Sequence, residues 1–202
     1  MTILRAESGR RRTPIGLIAG AMVVALGLAG CGSLGPAPQS FDLSAASAKA
    51  RGLIARIFVA QPTAVPPLDG DLIVVRGADG SLSRVPGARW ADRLPALLQS
   101  RAAQSFENAG LIRQVSLSGE GAQFTLALEI RRFGIDAATR TADVELTARL
   151  IARSDGQVVA AHVFSASEPV GEIVAGAAAQ ALDGASEKVL GQIVAWAAGA
   201  AR

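Results

Sequence analysis

Few residues in this chain carry reactive chemistry, and the most telling is its single cysteine. Cys31 follows Leu28-Ala29-Gly30. A thiol is the soft nucleophile that forms a thioether with a diacylglyceryl group, and small residues before it fit the lipoprotein peptidase. The pattern is the bacterial lipobox, so Cys31 is the expected lipidation site and the new N-terminus. A lone cysteine also excludes an intramolecular disulfide. The alternatives are a plain secretory signal, or an N-terminal membrane helix that happens to carry a cysteine.

The other reactive residues lack companions. His162 is the only histidine, and a catalytic or metal role would need partners, so it is expected as a structural strand residue. No G-x-S-x-G elbow precedes a helix, and there is no P-loop or G-x-G-x-x-G. The glycines of GADGS and SGEGA read as turns. Asp69 and Asp71 flank Gly70, but two carboxylates fall short of the roughly six to eight oxygens that calcium takes. Arg131 and Arg132 are neighbours in an extended stretch, so they are expected on opposite faces, forming no patch. Trp90 and Trp196 are expected as core or staple residues. No catalytic, cofactor-binding or metal-ligating set emerges, and an interaction protein is expected rather than an enzyme.

These residues sit behind an export signal. Arg5, Arg10, Arg11 and Arg12 precede Ile15 to Leu28, fourteen mostly apolar residues, and no charge follows until Asp42. That stretch is short for a ~30 Å hydrocarbon core and suits a signal-peptide h-region. The whole formal charge of +3 lies in the first thirty residues, where four arginines face Glu7. The remainder holds sixteen basic and sixteen acidic side chains. A basic stripe for nucleic acid is therefore not indicated. Gly32 and Ser33 follow the cysteine; the absence of Asp there favours the outer membrane over inner-membrane retention.

The 202 residues are 50 % hydrophobic and 18 % charged, enough for one sizeable core. Residues 1–30 read as the lipoprotein signal peptide, 31–40 as a flexible tether rich in small residues, and 41–202 as one domain. Strands are expected over Leu53–Ala60, Leu72–Arg76 and Ser81–Val85, the last after an Asp79-Gly80 turn signal. Helical spacing of Leu94, Leu98, Ala102 and Phe106 places a helix over 91–109. A short strand fits Gln114–Leu117. Alternating patterns then give strands over Phe124–Phe133, Asp143–Ala152 and Gln157–Ala166, with a hairpin at Ser154-Asp155-Gly156. A stripe through Leu182, Val189, Ile193 and Trp196 marks a last helix from Val170 to about Ala198. The order β-β-β-α-β-β-β-α implies an α/β fold, a mixed, mainly antiparallel sheet packed with two main helices.

Several segments carry a family resemblance. Val59 to Gly110 joins a proline-broken apolar strand, an IVVR strand and RWADRLPALLQSR opening a helix. Phe41-Asp42-Leu43 is similar to a Y-x-L start, with Phe for Tyr. LALEIRRF, FSASEPV and VLGQIVAW follow at the expected places. Over roughly residues 28–197 the chain resembles the ABC-type transport auxiliary lipoprotein family (PqiC-like, domain of unknown function 330).

The resemblance implies a Rossmann-like sheet as in the TolB N-terminal domain, no catalytic residues and no cofactor. It implies a periplasm-facing accessory of an MCE-type ABC transporter that moves lipids between inner and outer membranes. Its implied partners are the membrane, through lipidated Cys31, an MCE-domain protein, and further copies of itself in a ring. The alternative is a lipoprotein that itself binds and carries lipid, which needs a concave apolar cavity.

Overall fold

The computed structural model describes residues 37–50, 55–111 and 113–201. Cys31 and the signal segment lie outside them. The elements in chain order are β1 (Gln39–Phe41), β2 (Ile57–Val59), β3 (Leu72–Arg76), β4 (Leu82–Trp90) and α1 (Leu94–Asn108). They continue with β5 (Val115–Ser116), β6 (Phe124–Asp136), β7 (Thr141–Ala152), β8 (Val158–Pro169) and α2 (Ala175–Ala200).

The sheet is organised around β6. One edge of β6 pairs antiparallel with β7 from Phe124↔Ala152 to Asp136↔Thr141, and β7 pairs antiparallel with β8. The other edge is shared end to end. β2 runs parallel to the start of β6, Thr63 bridges to Glu129, and β3 runs parallel to its end through Val74↔Gly134 and Arg76↔Asp136. β4 then pairs antiparallel with β3, and β1 adds parallel to β4. The sheet is mixed, and its longest ladders are antiparallel, as expected.

Alternation explains the layers. Leu126, Leu128 and Ile130 of β6 and Val144, Leu146, Ala148 and Leu150 of β7 are buried on one face. That face packs under α2, which spans β7 and β8, while α1 covers β2 and β5. Among the described residues both helices lie on this inner face, and the outer face of the sheet carries none. Trp90, Phe106, Ile57 and Leu98 are essentially fully buried.

A clip joins the two helices. The Ala46 N–H donates to Ser105 Oγ of α1 (2.9 Å), and the Ser44 N–H and hydroxyl both donate to Asp183 of α2 (2.6 and 2.9 Å). Gly191 of α2 lies against this segment: a Cβ there would stand 3.7 Å from Ala46 Cβ. That distance is ordinary van der Waals contact, and α2 continues through Gly184 and Gly191 unbroken.

Several boundaries depart from the sequence reading. β1 was not anticipated, and it takes in Gln39 and Ser40, which read as tether; long-range pairing with Ala88 and Arg89 makes them strand. β4 runs past Val85 to Trp90, because Pro86 and Gly87 (φ +67°) form an irregularity in the β3–β4 ladder instead of ending it. Trp90 therefore ends a strand rather than opening a helix. α2 begins at Ala175, not Val170. The Val170 N–H donates to Arg140 O (2.8 Å), so this apolar residue closes the β7–β8 end of the sheet. The Ser154-Asp155-Gly156 hairpin is present, with Gly156 at φ +75° and Asp155 Oδ1 accepting the Gln157 N–H (3.0 Å).

Candidate interaction cleft

The one place where β6 breaks its alternation sets up the site. Buried positions are even-numbered from Leu126 to Ile130, then odd-numbered at Phe133 and Ile135. A bulge between Ile130 and Arg132 inserts one residue opposite β7. Two residues then stand where one would, so Arg131 and Arg132 are both exposed on the outer side. The expectation that they point to opposite faces is overturned. Arg131 Nε meets Glu145 Oε1 at 3.2 Å, and Arg132 meets Asp143 Oδ2 at 3.8 Å, both acids being on the outer face of β7.

Beside this pair the outer face holds a cleft of about 170 Å³. Its apolar surface comes from Val65, Pro66, Pro67 and Leu68 on one side and Val74 and Leu82 on the other. Arg76, Arg131, Arg132, Asp136 and Asp143 supply the polar rim. The Leu68 N–H donates to Val65 O (2.9 Å), which folds the proline segment into a short wall. Gly134 lets β3 and β6 approach at the floor. Val65 and Leu82 remain 70 % and 49 % exposed, although both are aliphatic.

Asp136 is held by its own turn. Its Oδ1 accepts the Thr139 N–H (3.1 Å) and the Ala138 N–H (2.9 Å). These bonds, the Thr139 one foremost, hold its carboxyl below the usual aspartate value, with Arg132 adding to the effect. Arg76 is in register with Asp136 and Arg84 with Val74. Among the described residues neither arginine forms an ion pair.

The remaining sequence candidates scatter. Asp69 pairs with Arg93 (2.6 Å) and Asp71 with Arg89 (3.9 Å), so these carboxylates turn to separate arginines rather than converging on one point. His162 is exposed on β8 with its ring edge-on to Phe164 (4.6 Å), and Phe164 in turn meets half-buried Trp196 (5.6 Å). Trp90 is a core residue, edge-on to Phe133 at 5.7 Å. Asp92 gives α1 no side-chain cap; its carboxylate accepts the Arg93 N–H (2.7 Å) one residue too early. Arg76, Arg84 and the proline wall were missed as a group, because only the bulge and the parallel β3–β6 pairing bring them together.

A family model described as the ABC-type transport auxiliary lipoprotein component matches residues 39–194, from the first strand into the last helix. The chain belongs to this family. The family is described as a lipoprotein component auxiliary to ABC-type transport. The chain is 31 % identical over 152 residues to an uncharacterized protein of Bradyrhizobium diazoefficiens, matching 73 % of this chain and 40 % of that protein. It therefore spans less than half the length of that relative. Among solved structures, a DUF330 protein from Xanthomonas campestris superposes with a TM-score of 0.68 at 28 % identity, covering 82 % of this chain and 95 % of that one. A second, uncharacterized protein superposes with a TM-score of 0.64 at 14 % identity over 79 % and 97 % of the two chains, a likeness of fold. The mixed sheet with two helices on one face is thus the family's architecture.

Proposed function

We propose that this auxiliary lipoprotein is anchored by acylated Cys31 to the outer membrane, faces the periplasm, and serves an MCE-type lipid transporter by docking its MCE-domain protein. It performs no catalysis itself. The observation that carries this reading is the helix-free sheet face with its small apolar cleft. Small-molecule sites usually enclose about 300–1,000 Å³. At about 170 Å³ the cleft is nearer the ~150 Å³ of a cavity that admits benzene. This cleft suits one side chain of a partner better than an acyl chain.

Reach supports the same reading. β1 begins at Gln39, leaving Gly32 to Pro38 between anchor and domain. Even fully extended, seven residues span only about 25 Å. A domain on such a leash does not ferry lipid across the periplasm, so its partner must come to it. A ring of copies would cap that partner. Photo-crosslinkers around the domain surface should trap the MCE-domain protein in cells. Trapping only unrelated envelope proteins while the transporter is expressed, or co-purification of bound lipid in native mass spectrometry, would turn the reading toward a lipid carrier.

A further inference from the structure

We infer that the cleft beneath Val65–Leu68 is the seat of the docking partner, taking one apolar side chain of a partner segment while a neighbouring carboxylate meets Arg76 and Arg84. This rests on the docking reading above and names its surface. Three observations carry it.

The first is size. About 170 Å³ matches one aliphatic or aromatic side chain, the kind of anchor that fills a pocket at the centre of a protein interface. The second is unspent apolar surface. Val65 and Leu82 flank the cleft and stay 70 % and 49 % exposed although both are aliphatic. Both stand on the face that no helix covers.

The third is charge. Arg131 and Arg132 are answered by Glu145 and Asp143. The carboxylate of Asp136 is engaged by two backbone N–H groups. Of the three arginines lining the cleft only Arg76 lacks an ion pair among the described residues, and Arg84, in register with Val74 beside it, lacks one too. A partner segment pairing an apolar residue with an acidic one completes both deficits. A membrane surface does not fit as well, because Asp136 and Asp143 on the rim would meet anionic headgroups.

The test places the photo-reactive residue p-benzoylphenylalanine at Val65 or Leu82 of the full-length lipoprotein, in cells expressing the transporter. Control positions are Gln192 on the exposed side of α2 and Val163 on β8. The MCE-domain subunit should be trapped from Val65 and Leu82. Adding Arg76→Ala and Arg84→Ala should lower that yield about tenfold, a loss equivalent to one good charged contact. Both arginines are exposed, and an unchanged thermal melt will confirm that the variant folds. Trapping from Gln192 or Val163 but not from the cleft overturns this surface and leaves docking standing. Trapping of the subunit from no position overturns both. A second copy of the chain or a lipid adduct at Val65 or Leu82 overturns the assigned occupant. A yield insensitive to the arginines overturns the acidic half of the recognition.

Discussion

A Cβ on Gly134 would stand 2.8 Å from the carbonyl oxygen of Val74 on the neighbouring strand. The backbone of β3 passes so close to β6 here that only a residue without a side chain fits. This contact forms the floor of the outer cleft and fixes where the second parallel strand joins the edge of β6. Gly134→Ala should therefore push β3 away and cost ~1–3 kcal/mol, the range for overpacking. Urea denaturation checks it, and a loss under about 0.5 kcal/mol, the size of an ordinary surface change, would mean β3 yields freely.

Trp90 ends β4 with its ring buried and edge-on to Phe133. Trp90→Ala removes a large core side chain and should cost ~3–5 kcal/mol in equilibrium unfolding. A loss below about 1 kcal/mol would contradict a core role.

Asp42 and Arg101 tie the start of the domain to α1 at 2.5 Å. The Arg101 hydrogen bond, foremost, lowers the Asp42 pKa from its usual value. A depressed carboxylate pKa contributes stability above the unfolded-state value, lost as pH falls through the folded one. Asp42→Asn should therefore be less stable than the parent at pH 7, and the gap should close below about pH 4. Asp42 is more than half exposed, so the gap should stay within ~1 kcal/mol. Thermal melts across pH check the sign; a gap that widens in acid would refute the pair.

Cys31→Ser should release the domain from membranes and abolish labelling with palmitate. A multiply acylated cysteine holds firmly, whereas one chain anchors only marginally, at ~0.8 kcal/mol per buried CH₂. Cell fractionation reads the result, and a variant that stays membrane-bound and labelled removes the lipidation reading.

His162→Ala should leave transport-linked phenotypes nearly intact. The imidazole is exposed, touches Phe164 and accepts or donates no hydrogen bond to another described side chain. An abundant, folded but inactive variant would show that the ring does chemistry.

The sequence by itself determined the elements and most of their faces. Phe124 to Ile130 and Val144 to Leu150 alternate, and the α2 stripe repeats at helical spacing, because which side of an element is apolar is written in neighbouring residues. The turn signals at Asp79-Gly80 and Ser154-Asp155-Gly156 are legible for the same reason: backbone preference is local. Tertiary structure alone decided what those elements share. The bulge at Arg131 flips the phase of β6 and sets two arginines side by side; EIRRFGI carries the slip in its apolar positions, from Ile130 to Phe133 and Ile135, but only the register against β7 decides that both arginines share the outer face. Gln39–Phe41 become strand only by meeting Ala88–Trp90, and Val170 leaves the helix only because Arg140 offers a carbonyl. The cleft has the same origin. Its wall, floor and rim come from segments far apart in the chain, and a surface assembled from distant pieces has no local pattern that the sequence could display.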